Sequence, residues 1–502
     1  MPSIWPTIEW WPSIPILLLV TTAVVVLLLD VIVTQRGPML SLVVSLAGMG
    51  LALFVIIHMI PQHGDAPFYR YDDLGRRTTF LLYDNLGRLG AVIALAGGCL
   101  IALVSPRTIR LYGLPPAEYY ALLTFAVFGM VVLCISLELL TIFLSIEIIA
   151  VALYILTGLH LGCAKSTEAA LKYFVLGAFS SGFLIFGFAF LYGGAGGSTL
   201  LGEIGVSMVN AGAPWMMSCL ALGLALALAG FAFKLTLAPF HLYAADVYEG
   251  APTPVAALLA TGTKVAGFVA LIHLLTPLHQ HIGKALQALA TDLVDLLWIL
   301  AALSIIVGNV VALLQRNIKR MLAYSSIAHS GYLLIAILVF VEGSVLFAEI
   351  EEAVLVYLVA YVLMNVAAFG VALTLGEQGE RDIDDYAGLA QRSPGLALAM
   401  ALAMLSLTGI PGTVGFVGKF YVFLVGVEAK FVILVIVAVL GSVVSAYYYL
   451  RVIVFMYMRD PAKGVVVERV GLIQGLGLVL ATVPIIGFGI LPRSLLALLA
   501  IV

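Results

Sequence analysis

The sequence predicts an all-α polytopic membrane protein of about 14 transmembrane helices, and three observations carry that prediction. Of its 502 residues, 63% are hydrophobic and 10% charged, and the mean hydropathy is +1.16; soluble domains carry about 25% charged residues. Apolar runs of about 17–25 residues, enough to cross a hydrocarbon core as helix, succeed one another along the chain. No stretch between them is long enough to fold as a soluble domain. The net charge of −3 gives no reason to expect a nucleic-acid partner; the lipid bilayer is the expected surrounding.

In order, the predicted spans are 15–34, 38–60, 80–104, 117–136, 138–160, 167–192, 214–240, 251–276, 293–315, 321–341, 349–375, 394–425, 430–457 and 470–491. The first lacks a basic leading region and a small-residue cleavage site, so it reads as a retained span. Spans 7 and 12 (214–240 and 394–425) resemble one another: each holds several glycines, a proline, and a lysine near the same end. The 32 residues of span 12 would be about 48 Å long as a continuous helix, against a core of about 30 Å. Thr408-Gly409-Ile410-Pro411-Gly412 offers a break, because proline removes a backbone bond and glycine relaxes the chain. Unwound backbone at membrane depth is tolerated only beside protein or a water-filled cavity, and paired interrupted spans mark ion or substrate sites in repeat-built transporters.

The interrupted spans lie five apart, so the expected organisation is two five-helix repeats, helices 4–8 and 9–13. An odd number of spans per repeat makes them inverted. The expected units are an N-terminal three-helix segment (1–110), a first repeat (111–277), a second (290–458) and a C-terminal helix (459–502). Loop charges orient the chain. Thirteen basic residues, among them Arg36, Arg107, Arg381, Lys463 and Arg469, lie in alternate loops starting after the first helix; the other side has seven, among them Arg76 and Lys284. Both termini are therefore expected outside.

Glu147, Lys172, Lys234, Lys264 and Lys419 fall inside apolar spans, and those four lysines are nearly half of the nine in the chain. A charge at the bilayer centre costs about 2.5–3.5 kcal/mol even on a lenient scale, so each is a functional-site candidate. Lys264, midway along its span, is too deep to snorkel and must be neutral, paired or hydrated. Glu147 needs a cationic partner or a proton; Lys234 is the nearest candidate in character, and a purely structural ion pair is the alternative. Lys172 lies about one turn inside its helix with Glu168 at i−4, which allows a local salt bridge as readily as a functional role. Lys419 follows Gly415 and Gly418, which leave room for water beside its amine. His241 and His329 are candidate relays, since histidine titrates near neutrality, or hydrogen-bonded interior groups.

Other features carry less. Gly193-Gly194-Ala195-Gly196-Gly197 lacks the Lys-Ser/Thr of a phosphate loop and reads as a connection. Glu349, Glu351 and Glu352 open a helix, where the positive end favours acids. Cys99, Cys134, Cys163 and Cys219 are widely separated and read as inert thiols, and His279 and His281 lack the company of a metal site.

Residues 231–255, with Lys234-Leu235-Thr236-Leu237-Ala238-Pro239-Phe240-His241 and Asp246-Val247-Tyr248-Glu249-Gly250-Ala251-Pro252, resemble the antiporter-like membrane subunits of respiratory complex I, most closely the subunit N family of bacterial NADH-quinone oxidoreductases. The resemblance continues in Ser166–Phe174, Lys319–Ser326 and Gly415–Phe420. Lys419 stands where subunit M has glutamate, and the chain stops soon after helix 14 where subunit L continues into a lateral helix. Ala244-Ala245 departs from the Thr-Pro of many relatives.

The resemblance implies proton translocation driven by quinone reduction elsewhere in the complex, in a bacterial cytoplasmic membrane. Glu147 would pair with Lys234 on broken helix 7, Lys264 would be the central relay lysine, and Lys419 the terminal proton carrier. Glu168 and Lys172 match the family's helix-6 motif. It implies no cofactor in this chain, with NADH, FMN, iron–sulfur clusters and quinone in other subunits. The implied neighbours are subunit M and the small subunits K and J. The alternatives are an Mrp-type sodium/proton antiporter, which would favour more membrane carboxylates than are present, and a non-conducting structural subunit.

Overall fold

The computed structural model describes residues 7–32, 39–64, 66–71, 77–209, 214–280, 287–375, 382–461, 467 and 470–501. His281, Arg36, Arg76, Lys284, Arg381, Lys463 and Arg469 lie outside them.

The apolar runs fold as helices: α1 (Trp10–Ile32), α2 (Met39–His58), α3 (Asn85–Val104), α4 (Pro116–Cys134), α5 (Leu139–Thr157), α6 (Ala164–Gly194), α7 (Pro214–Lys234), a short α8 (Ala244–Gly250), α9 (Thr253–Gln280), α10 (Gln287–Leu314), α11 (Ile318–Glu342), α12 (Phe347–Ala372), the two half-length helices α13 (Pro394–Thr408) and α14 (Val414–Glu428), α15 (Val432–Met458) and α16 (Leu472–Ile490). Among the described residues, thirteen helices are long and apolar enough to span, and the α13–α14 pair supplies a further, broken crossing. Span 7 is broken as well, into α7 and α8. A small antiparallel sheet was not foreseen: β1 (Thr7–Ile8), β2 (Phe68–Tyr71) and β3 (Arg77–Leu81), in the order β1-β2-β3, cover one end of the bundle. These strands are too short for period-two patterning to stand out.

Burial sorts the helices into an inner and an outer set. The most apolar stretches of α9, α11 and α12 have 94% of their residues buried, against 28% for α1 and 33% for α2, α6 and α16. Lipid is as apolar as leucine, so an outer helix needs only an apolar surface, whereas an inner one must be packed all round. Small residues permit the closest approaches: a Cβ on Gly187 of α6 would lie 2.6 Å from the Ala227 amide nitrogen of α7. Of the buried ionisable groups, Lys264 and His273 lie on α9, His329 on α11 and Glu351 on α12, whereas Lys419 lies on α14.

Candidate functional site

The break in span 7 creates the first half of the site. The helix stops at Lys234, and residues 235–243 run irregularly, with Ala238–Pro239 cis and Thr236 at φ +57°. Ending a helix releases carbonyls that need donors. Leu235 O accepts from Lys264 Nζ at 3.2 Å and from Ser330 Oγ at 2.8 Å. Lys264 Nζ also donates to Thr236 Oγ1 at 2.7 Å, and Tyr243 OH donates to Phe233 O at 3.0 Å. Ser304 Oγ accepts the Ala238 amide at 2.9 Å. Lys264 itself is 0% exposed. Its long side chain crosses from α9 to fill a vacancy that backbone geometry opens in α7.

Glu147 and Lys234 are close enough for the carboxylate's charge to act on the amine, but no direct ion pair forms. Glu147 Oε1 instead accepts from Ser181 Oγ of α6 at 2.5 Å. Lys234 Nζ is buried with no hydrogen-bond partner, and so is His241 Nδ1.

The break in span 12 repeats the device. Gly409 and Gly412 sit at φ +88° and +89°, backbone that disfavours any side chain. Lys419 Nζ donates to Leu407 O and Thr408 O, each at 2.9 Å, and to Ser442 Oγ of α15 at 2.8 Å. Ser442 Oγ donates to Thr408 O at 3.1 Å. The amine also lies 5.2 Å from the centre of the Tyr332 ring, within cation–π range.

One stretch of α11, Ser326 to Tyr332, lies between the two breaks. Ser330 touches the first through Leu235 O, and Tyr332 faces Lys419 of the second. His329 between them hydrogen-bonds Tyr357 OH through Nδ1 at 2.6 Å and Tyr449 OH through Nε2 at 3.3 Å, and the charges of both Lys264 and Lys419 act on it. Tyr449 OH also bonds Ser325 Oγ. The lysines and His329 thus share one buried polar seam, whereas Lys172 and Glu168 do not join it.

Lys172 and Glu168 belong to an ionic network at the end of the bundle where α8 lies. Lys172 Nζ contacts Glu168 and Asp246, each at 2.7 Å; Arg320 contacts Asp246 and Glu249, each at 2.7 Å; Lys165 reaches Glu249 at 3.3 Å. Burial pushes the Asp246 carboxyl up, but its bonds to Lys172 and Arg320 outweigh this and hold it below the usual range. Glu249 is likewise lowered, burial being overcome by Arg320 and Lys165. Thr236, Ser330, Ser442, Tyr357 and Tyr449 were not singled out from sequence, because hydroxyl residues are common and only the fold aims them. Among the described residues no cluster of His, Cys, Asp or Glu suits a metal ion.

Residues 136–445 match the family described as NADH:quinone oxidoreductase/Mrp antiporter, TM. NADH-quinone oxidoreductase subunit N of Myxococcus xanthus is 36% identical over 520 aligned positions, covering 97% of this chain and 96% of that one. The subunit N of Trichlorobacter lovleyi is 43% identical over 381 residues, 76% and 75% of the two chains. The chain belongs to the NADH-quinone oxidoreductase subunit N family. A chain of respiratory complex I from Thermus thermophilus superposes with a TM-score of 0.77 at 31% identity, over 95% of this chain and 97% of that one. A chain of the Mrp complex from Dietzia superposes with a TM-score of 0.81 at 17% identity, a likeness of fold alone. Subunit N so placed has the antiporter-like membrane fold.

Proposed function

We propose that this chain is a proton-translocating membrane subunit of a bacterial NADH-quinone oxidoreductase, moving protons along the buried seam while quinone is reduced in other subunits. The observation that carries the reading is the pair of buried amines, Lys264 and Lys419, each bonded to carbonyls released by a broken span, with His329 between them. Two inverted repeats, 111–277 and 290–458, flanked by 1–110 and 459–502, account for the paired breaks. In both, a residue of the following helix reaches the released carbonyl: Lys264 on Leu235 O, and Ser442 on Thr408 O.

Lys234 is the switch in this scheme, since its amine has no hydrogen bond and its nearest counter-charge, Glu147, is held by Ser181. Moving Glu147 towards or away from Lys234 changes the electrostatic cost of a proton on that amine. The proton then passes to Lys264, across His329 and its tyrosines, and to Lys419. One pKa unit is worth about 1.4 kcal/mol and one charge moved against 100 mV about 2.3 kcal/mol, so swings of about two units per site suffice. NADH, FMN, iron–sulfur clusters and quinone belong to other subunits in this reading, and subunits M, K and J are the expected neighbours in the bacterial cytoplasmic membrane.

Thirteen basic residues against seven support both termini outside, which puts the Asp246 network on the cytoplasmic side. The test is Lys264→Ala in the assembled complex: protons moved per NADH oxidised should fall, and an unchanged ratio would falsify the relay.

A further inference from the structure

On the face opposite the Asp246 network stands a second buried polar cluster. Asp84 caps α3, accepting the Gly87 amide at 2.8 Å on Oδ1, and its Oδ2 lies 3.2 Å from Nε2 of His273 near the far end of α9. Beside it, Asn85 Nδ2 donates to Glu351 Oε1 of α12 at 2.7 Å. His273 is only 3% exposed, and its Nδ1 is a buried atom with no hydrogen-bond partner. The same residue forms part of the wall of a 590 Å³ cleft, whose other walls include Arg77 to Thr79, Leu201 to Glu203, Val206 and Ser207.

The cluster is also close to the seam along one helix. Glu351 precedes Tyr357, the partner of His329 Nδ1, by six residues on α12, about 9 Å of helix rise. An imidazole at a cleft wall, with one nitrogen on a carboxylate and the other unbonded, can take up a proton at one nitrogen and release one from the other.

We propose that Asp84, His273 and Glu351 form the outer proton port of this subunit, through which protons from the seam reach water in the cleft. This rests on the relay reading above. His273 cycles between imidazole and imidazolium, with only N–H bonds made and broken, and water in the cleft takes the released proton. Asp84 stays a carboxylate and supplies the counter-charge: burial pushes its carboxyl up, but His273, the Gly87 amide and Arg88 outweigh that and hold it low. The other groups facing the cluster are Arg88 and Asn85 of α3, Glu351 of α12, Cys134 of α4, Arg77 of β3, and Glu203 across the cleft.

The experiment uses inside-out membrane vesicles carrying the assembled complex, with the lumen pH varied while the external pH is fixed. The readout is protons translocated per NADH oxidised. His273→Gln keeps a donor for Asp84 but cannot titrate, and Asp84→Asn keeps a good helix cap. The expected result is a lower proton yield in His273→Gln and Asp84→Asn, and a weaker dependence on lumen pH in His273→Gln than in the wild type. Both variants matching wild type in yield and in lumen-pH dependence would overturn the port. Should either fail to assemble, Glu351→Gln, whose amide oxygen still accepts from Asn85, is read the same way. Lys264→Ala measured alongside separates the two ideas. If it abolishes pumping and the port variants do not, only the port is wrong; if it pumps normally, the relay reading itself is wrong.

Discussion

The breaks in spans 7 and 12 solve one problem with different chemistry. At each, helix termination frees carbonyls inside the bilayer, and a lysine amine satisfies them. At the second break the amine belongs to the broken span itself and has three oxygen partners within 2.9 Å. At the first, the amine that satisfies Leu235 O comes from the next helix, and the span's own lysine, Lys234, has no hydrogen bond. A carboxylate, Glu147, acts on that bare amine, and among the described residues nothing comparable is hydrogen-bonded to Lys419. The comparison teaches that the first break leaves its own lysine bare beside a carboxylate, so that its charge balance can be altered, whereas the second holds its lysine in a fixed set of oxygen partners.

The largest effect expected comes from removing each amine. Lys264→Met and Lys419→Met should both lower protons moved per NADH, measured in membrane vesicles. They should differ in stability. Without Lys264, Leu235 O keeps Ser330; without Lys419, Thr408 O keeps Ser442 but Leu407 O loses the donor it has. A buried carbonyl left without a donor costs about 1–3 kcal/mol, so Lys419→Met should lower the thermal midpoint of the detergent-solubilised complex more. Equal losses would remove the distinction drawn between the breaks.

Next in size is Glu147→Gln, which keeps an acceptor for Ser181 while deleting the charge. Proton yield should fall with assembly retained, whereas Ser181→Ala should have a smaller effect because the carboxylate survives. A Gln variant that pumps like wild type would refute Glu147 as the counter-charge. Backbone comes third. Gly409→Ala puts a Cβ at φ +88° and 3.0 Å from Lys419 Cδ, so a loss of about 1–2 kcal/mol is expected. Thr236→Gly relieves the backbone at φ +57° but deletes a hydroxyl acceptor of Lys264; its stability should change little while its proton yield falls.

Much of this was legible in the chain itself. Apolar run length located the crossings, and the glycines and proline around Pro411 marked the second break, because both act on backbone within a few residues. The same locality explains what escaped. That Lys264 would bond Leu235, 29 positions away, or that Ser330 and Tyr332 would face opposite breaks, depends on which helices pack together, and hydropathy does not specify packing inside a bilayer. The carboxylate at 147 was visible, but its capture by Ser181 was not. Lys172 and Glu168 read as a local pair because i,i+4 spacing is a sequence property; their ties to Asp246 and, through it, to Arg320 come from two other helices, α8 and α11, meeting α6.

That network gives the smallest expected effect, and one that tests whether it is merely a solvated clasp. Asp246 and Glu249 both have folded-state carboxyls held below the ordinary range by Lys172, Arg320 and Lys165. A depressed carboxyl contributes stability that is fully present above its unfolded value, about 3.9 for Asp and 4.3 for Glu, and is lost as pH falls through the lower folded value. Thermal midpoints measured between about pH 6 and 3 should therefore decline for the wild type, and Asp246→Asn should decline less over the same interval. The gap should be small and should shrink with added salt, since the Asp246 side chain is 37% exposed and its pairs are screened. A variant whose curve runs parallel to the wild type at all pH values would mean that Arg320 and Lys172 hold the end of α8 by packing and not by charge.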